Sequence, residues 1–140
     1  MILNKVVAHF KDGRVIKGRT NNFFPTKSHF HIYLDSGEVE DVNMNNLKVI
    51  EIPIEELKGA FFVKDLKGDR SRKDSYDDVI PGGGRKVKVR FFDGEEIIGY
   101  THSYSSRLQG FFITPADKRG NNIRIFVVKS ATEEVKFFDV

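Results

Sequence analysis

Apolar and polar positions alternate with a period of two near the start of the chain. Val6, Ala8 and Phe10 stand in one phase, and Val7, His9 and Lys11 in the other. A period of two puts successive side chains on opposite faces of a strand, so the spacing predicts a β-strand whose core face carries Val6, Ala8 and Phe10. Asp12-Gly13 follows, and Asp-Gly between apolar runs predicts a hairpin, with a type I′ turn that needs positive φ at both central residues. The next strand has Gly18 in its middle, where a missing side chain permits the bend or bulge that closes a small barrel. A third strand is expected over His29–Leu34, with Phe30, Ile32 and Leu34 in one phase and Asp35-Ser36-Gly37 ending it. A fourth should run near Leu47–Ile52. After Pro53, the stretch Ile54-Glu55-Glu56-Leu57 is too short for an α-helix and suits one 3₁₀ turn. A fifth strand is expected over Ala60–Lys64.

The same pattern returns further along. Sliding residues 5–20 by 81 positions onto 86–101 gives 8 identities in 16 without gaps: Lys5/Lys86, Val6/Val87, Phe10/Phe91, Asp12/Asp93, Gly13/Gly94, Ile16/Ile97, Gly18/Gly99 and Thr20/Thr101. Phe30 and Ile32 fall on Phe111 and Ile113 in the same frame, and Gly110–Thr114 is then the copy of the third strand. After a short deletion Asn45-Asn46-Leu47-Lys48-Val49 matches Asn121-Asn122-Ile123-Arg124-Ile125. Glu55-Glu56-Leu57-Lys58 matches Glu133-Glu134-Val135-Lys136, each followed by a Phe pair, Phe61-Phe62 and Phe137-Phe138. The chain therefore reads as all-β: two tandem five-stranded SH3-like or Sm-like barrels related by internal duplication. The expected division is a first barrel over 1–66, a flexible linker over 67–84 and a second barrel over 85–140. Units of about 60 residues bury only a thin core, so the two should pack on each other rather than swing freely.

Composition narrows the picture. The chain has 140 residues, 39% apolar and 31% charged, with net charge +3, so it is one or two small domains and is expected to fold. Thirteen Phe with no Cys and no Trp leave a core of Phe, Val and Ile without disulfides, thiol chemistry or cysteine-held zinc. With no signal-peptide pattern and no membrane-length apolar run, a cytoplasmic protein is expected.

A group of runs carries a resemblance: Phe10-Lys11-Asp12-Gly13, Phe30-His31-Ile32, Lys58-Gly59-Ala60-Phe61-Phe62-Val63-Lys64-Asp65, Phe91-Phe92-Asp93-Gly94-Glu95, Gly99-Tyr100-Thr101, Gly110-Phe111-Phe112, and Pro115-Ala116-Asp117 through Asn121-Asn122-Ile123-Arg124. Over nearly its whole length the chain resembles a bacterial domain family of unknown function. That resemblance implies a stand-alone bacterial version of the domain and transfers no site residues, because the family has no assigned activity or ligand. A looser likeness to Sm-like proteins rests on the strand, Asp-Gly, strand-with-Gly spacing.

Candidate chemistry is sparse. His29 and His31 share a strand face, a spacing that can put two imidazoles on one ion. A third ligand is missing from the pattern, since His9 is two strands away, roughly 10 Å, so no metal and no cofactor are expected. Charge is segregated: residues 1–31 hold six Lys or Arg against Asp12, a net +5. Residues 35–56 hold Lys48 against Asp35, Glu38, Glu40, Asp41, Glu51, Glu55 and Glu56, a net −6, and residues 85–124 return to +4. A basic strand face with His9, Lys88 and Arg90 beside Tyr100 and Tyr104 could track a phosphate backbone and stack bases. More commonly, such cations solubilise a sheet and blunt its edges. No Arg-x-x-x-Arg occurs, which removes the cyclic-dinucleotide signature of PilZ domains, and Gly82-Gly83-Gly84 has no helix after it to hold a phosphate.

No nucleophile motif and no isolated carboxylate pair point to catalysis. Glu55-Glu56 and Glu133-Glu134 are instead expected on equivalent helical turns. The richest polar loop, 115–122, suggests a ligand site in which Arg107, Arg119 and Arg124 converge around Asp117, Asn121 and Asn122 on a phosphate or an acidic side chain. The expectation is thus a non-enzymatic interaction module with a protein partner or anionic ligand. Its alternative is an oligonucleotide-binding protein, and the oligomeric state stays open.

Overall fold

The computed structural model of the chain describes residues 3–34, 48–69 and 71–138. Among these residues ten strands appear in chain order: β1 (Asn4–Phe10), β2 (Val15–Thr20), β3 (His29–Leu34), β4 (Val49–Pro53), β5 (Leu57–Val63), β6 (Arg85–Phe91), β7 (Glu96–Thr101), β8 (Gly110–Pro115), β9 (Asn122–Val128) and β10 (Thr132–Phe137). Among the described residues there is no α-helix. Single 3₁₀ turns over Ile54–Glu56 and Lys129–Ala131 lead into β5 and β10. The expected strand end at Asp35-Ser36-Gly37, the strand start at Leu47, the Asn45-Asn46 pair and the acids Glu38, Glu40 and Asp41 lie outside the described residues.

All ten strands join one antiparallel sheet in the order β10-β6-β7-β8-β9-β5-β1-β2-β3-β4. The order β4-β3-β2-β1-β5 in one half is repeated as β9-β8-β7-β6-β10 in the other. The halves meet where β5 pairs with β9, Ala60 opposite Phe126 and Phe62 opposite Arg124. This joint explains two apolar runs that do not alternate, Ala60-Phe61-Phe62-Val63 and Ile125-Phe126-Val127-Val128: strands buried on both faces read as continuous hydrophobic stretches. Ala60, Phe62, Phe126 and Val128 fill a first core with Val6, Ala8, Phe10, Phe30 and Ile32. Phe61, Val63, Ile125 and Val127 fill a second with Val87, Val89, Phe91, Phe111 and Ile113. Val7 is buried as well and belongs to the second core, so β1 has no purely outer face. The two cores share β5 and β9 as a common wall.

Gly13 and Gly94 occupy equivalent hairpins at φ 95° and 92°. The turn is not the expected type I′, since neither Asp12 nor Asp93 has positive φ. Gly13 N–H donates to the Phe10 carbonyl and Phe10 N–H to the Arg14 carbonyl, which is a type I turn followed by a left-handed bulge residue. Gly94, Phe91 and Glu95 repeat the pattern. Each Asp carboxylate accepts the N–H two residues on, from Arg14 or Glu95, and so holds its turn. A Cβ at either glycine would meet nothing within 4 Å. Replacing Gly13 or Gly94 by Val is therefore expected to act through the backbone alone and to lower stability by about 1–2 kcal/mol, read from urea unfolding.

The mid-strand glycines have a different cause from the one expected. No register shift falls at Gly18 or Gly99. Each lies where the next strand comes close, and a Cβ would sit 2.3 Å from the carbonyl oxygen of Tyr33 or of Thr114.

Register also revises the sequence pairing of the later blocks. His31 faces Glu51 and Ile32 faces Ile50 in one half, as Phe112 faces Phe126 and Ile113 faces Ile125 in the other. Ile50, rather than Val49, thus occupies the place of Ile125. Phe62, rather than Phe61, stands where Phe137 does, opposite Val6 and Val87 respectively. Glu55 and Glu56 lie on a 3₁₀ turn, but Glu133 and Glu134 lie on β10, so the two acidic pairs are not equivalent.

Candidate functional site

Where β1 and β2 emerge beyond the second core, they form one wall of an open cleft of about 590 Å³. Alternation along three adjacent strands supplies its floor: Val7 from β1, Val15 from β2, and Phe61 and Val63 from β5, with Leu66 beyond them. Val15 remains 46% exposed, an apolar side chain left in water on an otherwise ordered strand. His9 projects from the floor with its ring edge-on to Phe61, 4.5 Å between centroids. Burial first, and then the positive charge of Lys58, hold the His9 imidazole below its ordinary pKa.

The opposite wall is the chain after β5. Lys17 Nζ donates to the Leu66 carbonyl at 3.0 Å. Asn121 bridges to Asp65 twice, donating from Nδ2 to its carbonyl (2.8 Å) and accepting its N–H (3.0 Å). The rim charges are largely matched. Lys58 Nζ, mostly buried beneath Phe91, contacts Asp93 at 2.6 Å and Glu95 at 2.5 Å. Arg72 contacts Asp74 at 3.6 Å and Asp117 at 2.6 Å.

Asp117 ties Arg72 and Ser75 to the loop after β8. Its carboxylate is 4% exposed and accepts from Arg72 Nη2 (2.6 Å), Ser75 N–H (3.1 Å) and Arg119 N–H (3.1 Å). Asp78 N–H donates to the Ala116 carbonyl, and the Asp78 carboxylate accepts from Lys118 N–H. Tyr76, at φ 55°, packs against the second core; burial and the nearby Asp74 carboxylate push its phenol well above the ordinary value. Burial pushes the Asp117 carboxyl up, but the N–H groups of Ser75 and Arg119 and the Arg72 guanidinium outweigh it and leave the pKa below the usual carboxylate value. A depressed pKa contributes stability above the unfolded value, about pH 4, that is lost as pH falls through the lower folded value. Between about pH 6 and about pH 3 the urea midpoint should therefore fall more in the wild type than in Asp117→Asn, which has no carboxylate to protonate. Equal falls would remove Asp117 from the acid response.

The sequence-derived sites divide. Asn121 and Asn122 line the cleft, as does His9 from the alternative set. Asp117 instead receives Arg72 and only the backbone of Arg119. Arg107 contacts Ser105 through its N–H, and the Arg124 guanidinium lies over the rings of Phe62 (4.6 Å) and Phe112 (4.5 Å). Among the described residues no hydrogen bond or ion pair gathers the three arginine side chains on Asp117. Lys88 meets Glu96 at 2.6 Å, and Arg90 meets Glu133 at 3.3 Å and Glu134 at 3.5 Å. Tyr100 lies on β7, opposite Lys86. The Tyr104 ring packs on Phe111 and Phe137, each at 5.1 Å. Arg72 and Glu95 were not singled out by the sequence; the one signal for Arg72 was a lone acid, Asp117, in a basic loop.

For His29 and His31 the sheet supplies the missing third group. Glu51, directly opposite His31, lies 3.9 Å from His29 Nε2 and 3.5 Å from His31 Nε2. The chemistry still opposes a metal. Asn22 Oδ1 accepts His31 N–H, so its Nδ2 faces His31 Nδ1 as a donor. Neutral His31 then carries its proton on Nε2, the atom an ion between these groups would need. Among the described residues no group of three or more His, Asp or Glu is arranged to hold a metal ion, and no helix is long and apolar enough to cross a membrane.

Fold and cleft together define an all-β protein with one antiparallel sheet and an open groove of apolar floor and charged rim. The chain belongs to the Family of unknown function (DUF6982), whose pattern matches residues 3–138. No curated protein and no solved structure matches the chain.

Proposed function

We propose that the chain is a non-enzymatic interaction module, made of two small SH3-like or Sm-like barrels that arose by duplication and are fused through β5 and β9 into a built-in pseudo-dimer. The repeated strand order supports the duplication. Its binding site is the His9 cleft, and its occupant is an extended protein segment with an apolar side chain flanked by charges. One observation carries this reading: the cleft has an apolar floor, Val7, Val15, Phe61 and Leu66, of which Val15 stays 46% exposed, inside a rim where Glu95 pairs with Lys58 and Arg72 with Asp74. Apolar anchoring with a few placed polar groups is how a binding groove gains affinity and orientation. Catalysis would call for an activated nucleophile or base, and among the described residues His9 has no hydrogen-bond partner to orient its ring.

The matched pairs Lys88–Glu96 and Arg90–Glu133 argue against the oligonucleotide alternative, because they neutralise the two cations that this strand face would set against phosphates. Mixed-sequence oligonucleotides should not be retained at low salt; retention lost steeply on adding salt would favour the alternative.

The cleft itself is tested by selecting from a phage-displayed library of random linear peptides. Enriched peptides should carry an apolar residue beside charges and should lose binding to Val15→Asp, a change at an exposed position that leaves the fold intact by circular dichroism. Peptides that bind Val15→Asp equally, or no enrichment at all, would contradict this site.

A further inference from the structure

The joint between the halves has two unused counterparts. It pairs β5, the fifth strand of one half, with β9, the fourth strand of the other. An interface made from two different surfaces leaves one of each at the ends of the array, and unless the array closes it can go on adding units. Here the ends are β4 and β10, which among the described residues pair with β3 and β6 alone. By strand order and register, a second copy of this chain could lay its β10 on β4 as β5 lies on β9, with Phe137 opposite Val49 and Val135 opposite Glu51.

Side chains at these ends differ from those of the joint in a consistent direction. On β9 the joint uses Phe126, fully buried, next to Phe112. Their places in the first half are taken by Glu51 and His31, which face each other across β3 and β4 and pair with each other. On β5 the joint uses Gly59, where a Cβ would stand 2.8 Å from the Phe126 carbonyl oxygen, and Phe61. Opposite Arg90 and Lys88, which hold the places of His9 and Val7, β10 instead carries Glu134 and Lys136. The ring of Phe62 takes Arg124 from across the joint, whereas that of Phe137 takes Arg85 from its own half, 3.9 Å from the ring centroid.

We infer that β4 and β10 are a latent pair of docking edges for a second copy of this chain, held closed by Glu51, His31, Glu134 and Lys136. Docking would bury Glu51 and His31 against Val135 and Phe137 and press Glu134 into a neighbouring backbone, both unfavourable. On this inference a second copy does not add to either end of the wild-type sheet. This inference stands on strand order and register and is independent of what the His9 cleft binds.

The test restores each end separately in the full chain and weighs the products by size-exclusion chromatography with light scattering. One variant carries His31→Phe with Glu51→Phe, the other Glu134→Gly with Lys136→Phe. Wild type should have the 16.0 kDa mass of one chain, and each variant alone should too. Mixed in equal amounts, the variants should form a complex of twice that mass, since one has an open β4 and the other an open β10. Circular dichroism and a cooperative urea transition for each variant ensure that a folded protein is being weighed, and if either fails, His31→Leu with Glu51→Leu, or Lys136→Leu alone, takes its place. A folded mixture that stays at monomer mass, or a wild type that already associates through these edges, would overturn the inference. Association of either variant with itself to the same extent would do so too, because it would mean general stickiness instead of complementary ends.

Discussion

Phe126→Ala is expected to lower stability by about 3–5 kcal/mol, the range for emptying a fully buried aromatic site, and to do so for both halves at once. Phe126 lies on β9, a strand of the second half, yet its ring packs in the first core, 5.0 Å from Phe23 and 5.2 Å from Phe112. Its neighbours Ile125 and Val127 point the other way, into the second core. A cavity on one side of this strand loosens a wall on which the other core also rests. Urea unfolding of the variant should remain one transition, shifted to lower concentration. A first half that melts early while the second keeps its wild-type midpoint would mean that the wall is not shared.

Gly99→Ala should follow closely, at about 2–3 kcal/mol, as expected for overpacking against atoms that cannot yield. The added Cβ would fall 2.3 Å from the Thr114 carbonyl oxygen and 2.8 Å from an Ile113 methylene. Backbone in a sheet moves only by breaking pairs, and β7 is held to β8 with Gly99 opposite Pro115 and Tyr100 opposite Thr114, with Ala116 N–H donating to the Ile98 carbonyl and the Thr101 hydroxyl to the Phe112 carbonyl. Gly18→Ala should act in the same way against Tyr33. The contrast with Gly13, where space is free, separates two uses of glycine: open space with left-handed φ in the hairpins, and close approach in the strands. If Gly99→Ala unfolds at the wild-type midpoint, β7 and β8 do not approach as closely as described.

Local features were readable from the chain because they depend on neighbours in sequence. Alternation located β1, β3 and their counterparts, and Asp-Gly located both hairpins. Turn type was misread because Asp-Gly also suits a type I turn with a bulge glycine, and the choice lies in φ at Asp12, which composition does not set. The offset between the later blocks was misread because like residues, Glu-Glu and Phe-Phe, recur at places the register does not equate. Long-range features were harder. The joint had a signal in the unbroken apolar runs of β5 and β9, since two-faced burial is what removes alternation, but nothing named the partner of either run. Of the candidate site, His9, Asn121 and Asn122 were named for other reasons. Arg72 pairs with Asp117 across 45 positions of chain, a distance over which no spacing rule operates, while the Arg124 guanidinium lies instead over Phe62 and Phe112.

The claim on which the rest depends is that β5 and β9 make one body of the two halves. Following urea unfolding by the NMR methyl signals of Ile32, in the first core, and Ile97, in the second, tests it most directly. Both signals should disappear with the same midpoint and the same slope, as a two-state transition requires. Two separated midpoints would mean two independent barrels on a tether and would contradict the shared wall.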